Sequence, residues 1–320
     1  MATECSMKLP LITFALFAYN QEKYIREAVA GALAQTYEPL EIILSDDCSA
    51  DRTYQIMEEM AGLYSGPHEI VLNRNEKNLG LIGHINKVNN ISRGVLIVAA
   101  AGDDISYANR VSCIFSKYDR NSRKDMLIHS SAFAVDEGGT LTGVLAPPIV
   151  TRQMNLEKMA VSDKLYIGAT GAWSRQIFGQ FGPILFTNAY EDLVYGFRAA
   201  IENSISYVDE PLLSYRCGVG ISNKAQKESA TIAEKIRKRK KSLAVMGDVY
   251  RQRLKDIDRS QVLQDDIKDS LRRILVKKIN RNEASSNLYN NKSAYVASLF
   301  KGNLVNCLKA VKSEIKHISR

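Results

Sequence analysis

The chain has 320 residues, 45% hydrophobic and 24% charged, with a net charge of +8; this is enough to bury a full core and excludes disordered and fibrous classes. Its five cysteines, Cys5, Cys48, Cys113, Cys217 and Cys307, are scattered and odd in number, which argues against a disulfide framework or zinc site and for free thiols in a reducing compartment. Residues 1–8 lack a basic start leading into an apolar stretch, and no apolar run nears the roughly 20 residues of a spanning helix, so a soluble cytoplasmic protein is expected.

In chain order, residues 9–18 read as a strand, 22–34 as a helix, 40–44 as a strand, 52–64 as a helix, 69–73 as a strand, 83–92 as a helix and 95–101 as a strand. This alternation predicts an α/β fold with a mostly parallel sheet that binds ligands at the carboxyl ends of its strands. Three of those ends carry polar clusters: Tyr19, Asn20, Gln21 and Glu22; then Asp46, Asp47, Cys48 and Ser49; then Gly102, Asp103 and Asp104. The adjacent Asp103 and Asp104 repel each other, which suits a divalent cation shared with an anionic ligand; the alternative is a cap for a helix starting near Tyr107. Neither G-x-G-x-x-G after the first strand nor a P-loop sequence is present, so carboxylates and a metal must hold any nucleotide. A carboxylate accepts from the imide N–H of a pyrimidine and Tyr19 can stack on its ring, which points to a pyrimidine nucleotide.

Composition changes near Asn223. Residues 224–320 carry 24 Lys and Arg against 10 Asp and Glu, net +14, whereas residues 1–223 are net −6. Two apolar stripes at helical spacing run through this basic part: Val262, Ile267, Leu271, Ile274 and Leu275, then Leu304, Leu308, Val311, Ile315 and Ile318. Such helices pack on the preceding domain or on a second copy as a homo-oligomer, or lie on an anionic inner-membrane surface. No nucleic-acid motif accompanies the charge, so no nucleic acid is expected, although the basic tail keeps that class open as an alternative. The four histidines show no ligand spacing, and His84 reads as ordinary helix surface.

An ordered series of residues then carries a resemblance. Phe14, Tyr19, Asn20, Tyr24, Tyr37, Asp46, Asp47, Asp51, Asn78, Gly80, Asn86, Gly94, Gly102, Asp103, Asp104, Asn109 and Arg110 resemble the opening of the inverting glycosyltransferases of family 2, and the likeness runs over residues 8–223. It implies a GT-A (nucleotide-diphospho-sugar transferase, Rossmann-like) fold: a catalytic domain over 1–223, with a donor half at 1–110 and an acceptor half at 111–223, and a basic helical C-terminal region at 224–320. It implies a UDP- or dTDP-sugar donor contacted by Phe17, Tyr19, Asn20, Glu22, Asp46, Asp47, Asn78, Asn86 and Asp103. Mg2+ or Mn2+ would be held through Asp104 with Asp103 beside it. The family's commoner pattern has a further Asp where this chain has Ala101, and many relatives have a histidine where it has Gly218.

The same resemblance places the sole tryptophan, Trp173, on the acceptor sugar, and Asp192 as catalytic base with Glu191 second. Arg216 and Ser222 would serve the diphosphate. The expected activity is transfer with inversion onto a glycan hydroxyl, lipid-linked, in cell-surface polysaccharide or O-antigen synthesis, on the cytoplasmic face of the inner membrane. The alternative is a nucleotide-sugar-binding protein without catalysis.

Overall fold

The computed structural model describes residues 8–151, 154–219 and 231–290, together with Leu308, Lys309, Val311, Lys312 and Glu314. The first half alternates as the sequence predicts: β1 (Ile12–Ala18), α1 (Ile25–Leu33), β2 (Leu40–Asp46), α2 (Thr53–Gly62), β3 (Glu69–Arg74), α3 (Gly80–Ile91) and β4 (Leu96–Ala101). β1 and β2 are buried along nearly their whole length because helices cover both faces of the sheet. β1 runs parallel to β2 and β4, and β2 parallel to β3, so the strands end together at one edge.

Beyond β4 the sheet becomes mixed. The next elements are β5 (Ile105–Ser106), α4 (Arg110–Arg120), β6 (Leu127–Val135), β7 (Leu141–Leu145), α5 (Pro148–Thr151), α6 (Leu156–Val161), a 3-10 turn at Gly168–Thr170, β8 (Ala172–Ser174), α7 (Gln176–Phe181), α8 (Glu191–Ile201) and β9 (Ile205–Arg216). The strand order is β3-β2-β1-β4-β8-β6-β9-β5, with β7 on β6. β8 is antiparallel to both β4 and β6, whereas β6 and β9 are parallel. The expectation of a mostly parallel sheet therefore holds for the donor half and gives way to mixed pairing beyond β4. Three-residue β8 is too short for any period to reveal it.

Two long helices follow, α9 (Ile232–Arg259) and α10 (Asp265–Asn290). Thr231 and Glu234 form a reciprocal capping box that starts α9. One core lies under α1, α2 and α4. The other joins Ile97, Trp173, Val194 and Tyr195 to Val245, Val249 and Ile257 of α9 and to Leu271 and Leu275 of α10. The shift in charge near residue 223 is thus not a packing boundary. Among the described residues no helix is long and apolar enough to cross a membrane.

Candidate functional site

The strand-end loops interlock. The Asp47 N–H donates to the Ala18 carbonyl at 3.0 Å and the Gly102 N–H to the Phe17 carbonyl at 2.9 Å, binding the three polar clusters into one surface. Asn20, at φ +52°, donates its N–H to Ser49 Oγ at 2.8 Å and accepts the Ala50 N–H at 2.9 Å. Glu22 accepts the Arg52 N–H at 3.0 Å, and Asp46 accepts the Ser49 N–H at 2.9 Å. Tyr19 is 40% exposed, so its ring is available to a ligand.

Asp47 is buried and accepts three donors: Asn75 Nδ2 at 2.8 Å, the Leu79 N–H at 2.9 Å and the Gly80 N–H at 3.0 Å. It thereby occupies the N-terminus of α3, where the helix dipole favours an anion. Gly80 makes this turn at φ +70°, a conformation glycine adopts without strain. Asn78 is exposed and accepts from the same Gly80 N–H at 2.9 Å.

Asp103 and Asp104 do not cap a helix. They lead into β5, and α4 begins only at Arg110. Asp104 Oδ1 accepts the Arg216 backbone N–H at 2.8 Å, while its Oδ2 is buried with no hydrogen-bond partner. Burial, then the Asp103 charge, holds the Asp104 carboxyl well above the usual carboxylate range, and burial raises Asp103 as well. A cation at the orphaned Oδ2 removes both penalties, so the pair fits Mg2+ or Mn2+ shared with phosphate oxygens. Among the described residues no cluster of three or more His, Cys, Asp or Glu forms a metal cage. Gly102 is required by close approach: a Cβ there would lie 2.5 Å from Gln21 Oε1 and 3.0 Å from Ala18 Cβ.

A second carboxylate pair stands nearby. Fully buried Arg110 joins the two: its guanidinium, beside Asp104, donates to the Ala99 carbonyl at 2.6 Å and the Ala169 carbonyl at 2.7 Å. The adjacent Gly168 lies against the second pair, since a Cβ on it would collide with Glu191 Oε1 and sit 3.7 Å from Asp192 Cβ. Asp192 Oδ1 accepts the Leu193 N–H at 2.8 Å in the first turn of α8. Burial and then the Asp192 charge raise Glu191 to about 8, while burial raises Asp192 to about 6. Near neutral pH the pair holds one proton on Glu191 and leaves Asp192 as a base.

Other expected site residues are placed differently. Trp173 has no exposed surface, packs on Tyr195 at 4.8 Å between ring centroids and donates to Asn89 Oδ1 at 3.0 Å. It is a core residue and offers no face to an acceptor sugar. Arg216 is buried, and its guanidinium donates to the Asp103 carbonyl at 3.1 Å, the Glu137 carbonyl at 2.7 Å and Glu27 Oε2 at 2.6 Å. Those bonds commit its guanidinium to protein acceptors, and Ser222 lies outside the described residues. Asn86 spends both ends of its amide on the backbone of Ile184, at 2.8 and 3.2 Å, and braces that loop instead of a donor. His84 is buried, not surface: it bonds Ser45 Oγ at 2.6 Å and sets its ring edge-on to half-buried Phe17 at 5.2 Å. It thus sits under the Asp46 and Asp47 turn. Arg253, described below, was hidden among the many cations of the basic region.

Residues 13–160 match the sequence profile described as glycosyl transferase family 2. An uncharacterized glycosyltransferase of Methanocaldococcus jannaschii is 31% identical over 143 residues, 44% of this chain and 48% of the relative. TarS of S. aureus, solved in complex with UDP-GlcNAc, aligns with a TM-score of 0.60 at 15% identity, over 96% of this chain and 81% of that one. The mannosyltransferase PcManGT of Pyrobaculum calidifontis, solved with GDP-Man and Mn2+, aligns with a TM-score of 0.53 at 14% identity, over 98% of this chain and 85% of that one. The fold is that of GT-A structures. Over residues 13–160 the chain is similar to glycosyltransferase family 2. It spans about half the length of that curated relative.

Proposed function

We propose that this chain transfers a sugar from a UDP- or dTDP-sugar to a glycan hydroxyl with inversion at the anomeric carbon. The observation that carries this reading is the convergence of two carboxylate pairs, Asp103 with Asp104 and Glu191 with Asp192, on the bridge formed by Arg110 and the segment Gly168–Thr170. One pair suits a diphosphate and its cation, and the other supplies a base.

Tyr19 would pack on the base ring, and Asp47 would accept from the pyrimidine edge with the lone pair its three donors leave. Phe17, Asn20, Glu22 and Asp46 shape that surface, and Asp103 lies towards the ribose or donor sugar. Asp192 accepts the proton of the acceptor hydroxyl as that oxygen attacks from the side opposite the nucleotide, and Glu191, protonated, adds no competing charge. Mg2+ or Mn2+, held by Asp104 with Asp103 beside it, would neutralise charge on the departing diphosphate. The acceptor is a lipid-linked glycan of cell-surface polysaccharide or O-antigen synthesis, met at the cytoplasmic membrane face.

Donor binding and transfer are measured separately. Asp192→Asn is expected to keep donor-induced thermal stabilisation and to lose transfer by about 10²-fold or more. Transfer at the unsubstituted rate refutes the assignment of Asp192.

A further inference from the structure

α9 belongs to the basic region after residue 223, yet one of its cations has no contact with solvent. Arg253 is 0% exposed. Its guanidinium donates twice to the Leu193 carbonyl, at 3.2 Å from Nε and 2.9 Å from Nη2. Nη1 donates to the Ala160 carbonyl at 3.1 Å and the Ser162 carbonyl at 2.9 Å. All four bonds end on backbone carbonyls, three in number, and among the described residues no carboxylate lies within ion-pair distance of it. A buried guanidinium normally demands an opposite charge. The charge it faces on α8 is Asp192, the residue before Leu193.

We infer that Arg253 is a positioning residue for the catalytic base, fixing the first turn of α8 from α9 and setting a positive charge behind Asp192. This rests on the assignment of Asp192 as the base. The Leu193 carbonyl is held by Arg253 while the Leu193 N–H holds Asp192 Oδ1, so the carboxylate takes its orientation from a residue clamped on both sides. The groups facing Asp192 are Glu191 beside it on α8, Tyr166 ahead of the 3-10 turn, and Arg253 on α9. Only Arg253 among these is cationic. Around Arg253 itself stand Tyr250 and Asp256 on α9, Asp163 after α6, and Asp192. Burial raises the Asp192 carboxyl, and the Leu193 N–H and then the Arg253 charge oppose that rise. The basic region thus contributes directly to the reaction centre.

The test is the pH profile of transfer by the full chain with three substitutions. Arg253→Gln removes the charge, and its acid limb is expected to move upward by about one pH unit, a roughly tenfold loss below the limb that recovers at higher pH. Arg253→Lys keeps the charge but not the two-pronged grip on Leu193; its acid limb stays in place while kcat falls about tenfold. Donor binding is expected to be unchanged in both. An unmoved acid limb in a folded Arg253→Gln variant overturns the inference. Should that variant not fold, Arg253→Lys decides: kcat equal to that of the unsubstituted chain overturns it. Asp192→Asn, run in parallel, separates the two readings, because retained transfer there removes the base assignment whatever the Arg253 variants do.

Discussion

Glu191 and Asp192 are neighbours with similar side chains and different protonation. Glu191, whose ordinary value is 4.5, keeps its proton up to about pH 8, chiefly through burial and then through the Asp192 charge. The folded chain therefore binds more protons than the unfolded chain between pH 4.5 and 8, and this group's contribution to stability falls as pH rises through that window. Glu191→Gln abolishes the penalty. Its melting temperature relative to the unsubstituted chain is expected to rise more at pH 9 than at pH 5, and equal differences at the two pH values would defeat the reading. At this scale the sequence was uneven as a guide. It located the acidic positions, because paired carboxylates at strand and helix starts are visible as residue types. It misjudged Trp173, Arg216, Asn86 and His84, because residue type does not say which face of an element turns inward. An indole N–H bonded to Asn89 and a guanidinium bonded to three groups from distant segments leave no local pattern.

Elements of regular length were legible, and their partnerships were not. The strands and helices of residues 12–101 follow clear apolar periods, and their boundaries fall close to those expected. The pairing of β6 with β9, far apart in sequence, and the insertion of β8 between β4 and β6 have no local signal. The same holds for α8 against α9, where the join is polar. Arg198 and Asp256 are both 0% exposed and meet through two bonds of 3.0 and 3.1 Å, with Gln252 donating to Asp256 at 2.9 Å. Asp256→Ala strands the Arg198 charge in the core and is expected to cost about 3–5 kcal/mol in denaturant unfolding. A cost below about 1 kcal/mol would show that the helices are joined by their apolar contacts alone.

For the whole molecule, charge is divided more sharply than packing. Arg237, Lys238 and Lys241 on α9 and Arg273 and Lys277 on α10 are exposed, while the buried stripe of α10 is spent on the common core through Leu271 and Leu275. Among the described residues, α9 and α10 would then meet an anionic membrane surface through these charges. At about 1 kcal/mol per cation near an anionic surface, replacing Arg237, Lys238 and Lys241 by neutral residues is expected to weaken co-sedimentation with anionic vesicles by roughly 10²-fold. Undiminished sedimentation would remove α9 from the membrane reading. The grip of Arg253 on Leu193 also sets a timetable for the chain's birth. The donor half is built from parallel neighbours close in sequence and can condense as it emerges, but about 60 residues separate Asp192 from the arginine that holds its turn. At roughly 5–20 residues per second, the nascent chain spends about 3–12 s with Asp192 made and Arg253 still to come.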